Sequence, residues 1–136
     1  MSSESSGSGQ VRSTLDILVF TVGGVHCGID GELIGRMLLP EEAEYGKVAV
    51  RWFHQALTFG DREVVYQNPR VITFNRAGAA AGLVIDQPRD LIRVPVGSIR
   101  PLPAFFALTP GLRPLWGAFV LEEQVVLLVE PQRLLA

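Results

Sequence analysis

The chain has 136 residues, a formal net charge of −2 and a composition that is 48% hydrophobic and 19% charged, which suits one folded unit with a sizeable core. Lys47 is the only lysine and the arginines are scattered, so the clustered cationic stripe that phosphate-backbone binding needs is missing and nucleic acid is excluded as an expected partner. The single cysteine, Cys27, excludes an internal disulfide, no Cys/His pairs stand at zinc-ligand spacing, and no apolar stretch is long enough to span a membrane.

Residues 1–14 are polar and rich in Ser and Gly, without the apolar segment of a signal peptide, and are expected to form a flexible tail. A cytoplasmic protein without membrane insertion follows as the expectation, with residues 15–136 as a single domain. From Leu15 onward, short apolar runs separated by Gly, Pro and charged pairs predict many short strands, the clearest at 15–22, 25–29, 71–76, 80–85, 115–121 and 124–129. Runs such as Ile17-Leu18-Val19-Phe20 and Val125 to Val129 are apolar on both alternating faces, which predicts strands buried from two sides. Gly23-Gly24, Ala77-Gly78 and Glu122-Glu123 are tight enough for antiparallel hairpins. Helix is limited to an amphipathic stretch at 51–59, ending near Gly60, and a brief turn at the end, where Glu130 precedes Pro131 at a first helical position. Phe20, Gly24 and Gly28 recur as Phe74, Gly78 and Gly82 at one constant offset, a pattern that two similar small β-barrels would produce.

Catalytic pairings find little support. His26-Cys27 invites a nucleophile-and-base reading, with His54 as a second imidazole, but adjacent strand residues point to opposite faces and no orienting acid is placed nearby. A buried cysteine and a surface histidine account for the pair. Asp30 and Asp86, each just after a strand, read as turn formers bonding backbone amides, and Glu41-Glu42 and Glu122-Glu123 as solvated loop residues. Trp52 and Trp116 read as core fillers. Phe105-Phe106, between Pro103 and Pro110, is either an aromatic anchor for a partner or a plug between lobes. Arg36-Met37-Leu38-Leu39-Pro40 is either an edge strand that recruits a partner or ordinary barrel closure.

The segment Leu18-Val19-Phe20-Thr21-Val22-Gly23-Gly24-Val25-His26-Cys27-Gly28-Ile29-Asp30 resembles the opening of CheW-like domains. Gly82-Leu83-Val84-Ile85-Asp86 resembles their central turn, and the stretches 91–103 and 116–135 resemble the strand that follows and the closing hairpin with its terminal turn. The resemblance implies an all-β fold of two small antiparallel β-barrel lobes on a shared hydrophobic core, with one or two short helices. It also implies a non-catalytic adaptor without cofactor or metal, linking a methyl-accepting chemoreceptor to the regulatory domain of a CheA-type histidine kinase. The chain departs from the family pattern in residues 40–59, where the family's Gly-x-x-Asn-Leu-Arg-Gly segment is missing, and at Arg36, where an acid is common. Arg36, Met37, Leu39, Arg89, Phe105 and Phe106 are the expected partner contacts. Two rival readings remain: a self-associating scaffold that has lost receptor and kinase coupling, and a small enzyme using Cys27 with His26 or His54.

Overall fold

The computed structural model describes residues 13–57, 63–75 and 81–135. The expected tail, Gly78, Ala80 and Gly60 lie wholly or largely outside those residues. Nine strands are described: β1 (Thr14–Val22), β2 (Val25–Asp30), β3 (Ile34–Leu38), β4 (Ala49–Trp52), β5 (Pro69–Phe74), β6 (Ala81–Asp86), β7 (Leu91–Pro95), β8 (Leu115–Leu121) and β9 (Gln124–Val129). Short helices α1 (Pro40–Tyr45), α2 (Phe53–Ala56), α3 (Phe105–Leu108) and α4 (Pro131–Leu135) connect or follow them. The strands form two sheets, ordered β7-β1-β2-β9-β8 in lobe one and β3-β5-β6-β4 in lobe two.

The repeat seen in sequence is a repeat in register. In lobe one Ile17 pairs with Asp30, Leu18 with Ile29 and Val19 with Gly28; in lobe two, at the same offset, Val71 pairs with Val84, Ile72 with Leu83 and Thr73 with Gly82. Each hairpin then gains a parallel neighbour opposite the equivalent glycine, Leu128 beside Gly28 and Val50 beside Gly82. The lobes also exchange strands. β3 leaves the first hairpin to pair with β5, and β7 leaves the second to pair with β1. Arg100, beyond β7, bridges Ala118 of β8 through backbone hydrogen bonds of 2.8 and 3.0 Å, which closes lobe one into a barrel.

Burial follows the alternation of side chains across each strand. Leu18, Phe20 and Val22 of β1 point into a core shared with Ile72, Phe74, Leu83 and Ile85 of the other lobe, while Ile17 and Val19 point into lobe one with Phe119, Val126 and Leu128. Leu38, Ala43, Val71 and Val84 fill lobe two. Phe53 meets Phe20 edge-on, with ring centroids 5.1 Å apart, and Leu134 of α4 closes the shared core. β1 is thus buried from both sides as expected, whereas Val125 of β9 lies exposed at the hairpin end.

Three local expectations are corrected. The helix expected at 51–59 is a strand through Trp52 followed by the single turn of α2, because β4 pairs with β6 and that ladder outweighs the helical spacing. Trp52 and Trp116 are exposed rather than core fillers. The stretch between Pro103 and Pro110 is α3, whose Phe105 carbonyl accepts a 2.8 Å hydrogen bond from the Thr109 hydroxyl. The terminal turn forms as expected, with the Glu130 carboxylate accepting from the Gln132 N–H at 3.3 Å.

Gly28 and Gly82 of the repeat each face a lobe interior that has no room for a side chain. A Cβ on Gly28 would lie 2.6 Å from Ile17 Cγ2, and one on Gly82 would lie 2.7 Å from Val71 Cγ1, while one on Gly97 meets nothing within 4 Å. Gly28→Ala and Gly82→Ala are each expected to lower stability by about 1–3 kcal/mol through overpacking, with Gly97→Ala close to neutral. Urea unfolding of the three variants checks this.

Candidate protein-interaction site

Cys27 sits in the shared core, fully buried, and burial pushes its thiol from 9.0 up to about 12. The imidazole of His26 is engaged elsewhere, with Nδ1 3.0 Å from Thr21 Oγ1 across the hairpin. An enzyme built on Cys27 needs a thiolate at neutral pH, and this environment suppresses it. His54 Nδ1 lies 3.0 Å from the Tyr66 hydroxyl, which also accepts the His54 backbone N–H at 3.2 Å. Burial is the main cause that raises the Tyr66 pKa, so that hydroxyl keeps its proton.

The carboxylates hold backbone. Asp30 Oδ1 accepts from the Glu32 N–H at 3.0 Å, and buried Asp86 accepts from the N–H groups of Gln67 and Asn68 at 2.6 to 3.1 Å. Asp86 therefore fastens the segment leading into β5 rather than its own turn. The described residues contain no group of three or more His, Cys, Asp or Glu able to hold a metal ion.

The expected contact residues fall at four places in the fold. Arg36 and Met37 are exposed on β3, at an irregularity in its pairing with β5, and Leu39 is exposed where α1 begins. The Arg36 backbone N–H is held by Thr73 Oγ1 at 3.1 Å, and the Leu39 N–H by Glu42 Oε1 at 2.7 Å. Beside them lies an open groove of about 500 Å³ lined by Arg36, Leu38, Glu41, Tyr45 and Val48, among others.

Phe105 and Phe106 divide the two roles considered for them. Phe106 packs against the shared core, and Phe105, its ring centroid 4.6 Å from that of Phe106, is 56% exposed. Arg89 lies in the crossover from β6 to β7. Its N–H donates to the Val19 carbonyl at 2.8 Å and its guanidinium pairs with Glu122 at 3.1 Å, so it pins the crossover to lobe one. This ion pair is exposed and contributes at most about 1 kcal/mol.

A further apolar patch was not singled out in the sequence. Val120 and Val125 face each other across the β8–β9 hairpin and are 70% and 57% exposed. Their alternation with buried Phe119 and Val126 is the signal, masked by the unbroken apolar run of β9. Glu122 and Glu123 turn this hairpin with φ of 51° and 68°, where glycine is the usual residue.

The CheW-like domain family matches residues 47–136, about two thirds of the chain. The chain belongs to this family. CheW-like domains thus account for the two-sheet architecture, and the solved scaffolding protein TtCheW from Thermoanaerobacter tengcongensis has a similar fold, with a TM-score of 0.64 at 20% identity over 85% of this chain and 88% of that one. No curated protein matches the sequence. The family match begins after β3 and α1, so the first hairpin and most of the groove beside α1 lie outside it.

The buried thiol yields a pH test. Below pH 9 the thiol is neutral in folded and unfolded chains alike, and its contribution to stability is fully present. Above pH 9 the unfolded chain loses this proton while the folded chain keeps it until about pH 12, so stability falls through that window. The wild type is expected to lose up to about 1.4 kcal/mol per pH unit more than Cys27→Ala. Urea unfolding at pH 8, 10 and 11 measures the difference, and equal slopes would contradict the buried assignment.

Proposed function

We propose that this CheW-like chain is a non-catalytic adaptor that holds a chemoreceptor and the regulatory domain of a CheA-type histidine kinase together in the cytoplasm. The observation that carries the reading is the arginine-flanked apolar edge formed by Arg36 and Met37 on β3 and by Leu39 between β3 and α1. Exposed Phe105 supplies a rigid aromatic side chain of the kind that anchors protein contacts. No helix among the described residues is long and apolar enough to cross a membrane. The mechanism is positional: two faces of one rigid pair of lobes fix the separation and orientation of two partners, and no bond is made or broken. Arg89, tied to Glu122, contributes by holding the crossover in place and by offering its remaining donors at the rim.

A second reading is favoured by one observation. Val120 and Val125 form an exposed apolar pair at an outer hairpin of lobe one, a surface suited to self-association of the domain.

Arg36→Glu combined with Phe105→Ala changes two exposed side chains and is expected to leave the fold intact. In a pull-down against lysate of the source organism, wild type is expected to retain a CheA-type kinase or a chemoreceptor, with capture by the variant reduced at least tenfold, as loss of a central contact worth about 2 kcal/mol implies. Capture of neither by the wild type, with both present in the lysate, counts against coupling. Light scattering that reports a stable homo-oligomer would then favour the self-associating scaffold.

A further inference from the structure

Strand β3, at the edge of its sheet, carries one residue more than the stretch of β5 it pairs with. Ile34 lies opposite Phe74 and Met37 opposite Ile72, so Gly35 and Arg36 together face Thr73 alone. Two residues against one make a β-bulge, a feature that re-aims side chains and is common at sheet edges.

The extra residue changes the alternation of everything after it. Ile34 packs against the core shared between the lobes, together with Phe74 and Ile72. In an unbroken strand Arg36 and Leu38 would follow Ile34 onto that face and Met37 would take the other. Instead Leu38 is buried in lobe two with Val71 and Val84, and Met37, opposite Ile72, turns to the side of the shared core, where it is 42% exposed. Arg36 goes with Leu38, since both line the groove beside α1. The two neighbouring contact residues are thereby parted onto opposite faces of one strand.

Side chains of β5 and its end hold the bulge. The Arg36 N–H donates to Thr73 Oγ1 at 3.1 Å, and Asn75 Nδ2 donates to the Glu32 carbonyl at 2.9 Å, which ties down the chain just before β3. At Gly35 a Cβ would lie 3.2 Å from Thr73 Oγ1 and 3.1 Å from Asn75 Oδ1, so a side chain there would crowd the same two groups.

We propose that Thr73 is a positioning residue for the contact edge. Its hydroxyl holds the bulge, and the bulge presents Arg36 on the groove face and Met37 on the face turned to the shared core. Without that acceptor the Arg36 N–H loses its fixed partner, and the pairing of β3 is free to slip toward the regular register. Thr73 itself need touch no partner. The consequence for binding rests on the adaptor reading, whereas the geometry of β3 does not.

The test compares the whole chain, 15N-labelled and with 13C-methyl methionine, as wild type, Thr73→Val, Thr73→Ser and Gly28→Ala. Thr73→Val keeps the shape and removes the acceptor. It is expected to speed exchange of the Arg36 amide about fivefold, the factor that one neutral hydrogen bond gives, to displace the Met37 methyl resonance, and to lower capture of a CheA-type kinase or chemoreceptor by a similar factor. Thr73→Ser keeps the hydroxyl and is expected to match wild type in all three. Gly28→Ala loosens lobe one, away from β3, and is expected to leave the Arg36 amide, the Met37 methyl and capture unchanged. Gly35→Ala disturbs the bulge from the other strand and keeps the test open if Thr73→Val fails to fold. An unchanged Arg36 amide in Thr73→Val, a released amide with undiminished capture, or an equal loss of capture in Gly28→Ala would overturn the proposal. If wild type captures neither partner, the adaptor reading fails by itself, and the assignment of Thr73 then stands or falls on the Arg36 amide and the Met37 methyl.

Discussion

The shared core between the lobes is the constraint on which the rest of the molecule depends. Strand β1 is apolar on both faces because it is the wall of one barrel and the floor of the interface with the other: Ile17 and Val19 turn inward, Leu18, Phe20 and Val22 turn toward lobe two. Each such side chain contributes about 1.5–3 kcal/mol on full burial, but only while both lobes are in place. The exchange of β3 and β7 strengthens this mutual dependence, since each lobe is edged by a strand from the other half of the chain. Neither hairpin brings its own complete sheet, so the lobes are expected to form together, and their relative orientation is set by packing rather than by a linker.

That fixed packing is what the proposed adaptor role requires. A protein that acts by position needs fixed faces more than reactive groups, and two of this chain's reactive groups are withdrawn from solvent. Its thiol is sealed in the core and its buried carboxylate, Asp86, is used up on the N–H groups of Gln67 and Asn68. Several exposed apolar residues, by contrast, stand where a partner could cover them: Met37 and Leu39 beside Arg36, Phe105 on α3, Val120 and Val125 at the outer hairpin. These positions cost solubility in an isolated domain and are covered at little expense when another surface is present.

Much of the fold could be read from the sequence wherever periodicity and turn chemistry agreed. Ile17 to Phe20, the hairpin at Gly23-Gly24 with φ of 58° and 82°, and the paired glycines Gly28 and Gly82 all carried their meaning locally. β4 did not, because its four residues adjoin an aromatic, helix-spaced stretch and become a strand only through pairing with β6, more than thirty residues later in the chain. Its all-exposed pattern also hid it, since strands are recognised by a buried face. The candidate site was legible in part. Separate exposure of Phe105 from Phe106, and of Val125 from Val126, is decided by where neighbouring elements stop, which no local pattern records.

The claim that two partners are held at once by one rigid body is tested most directly by sedimentation of the purified chain with a CheA-type kinase regulatory domain and a receptor signalling fragment, each alone and then together. The account predicts a single faster species containing all three components, at concentrations where each pair also forms. Two partners that displace one another, or that both leave the chain sedimenting by itself, would contradict it.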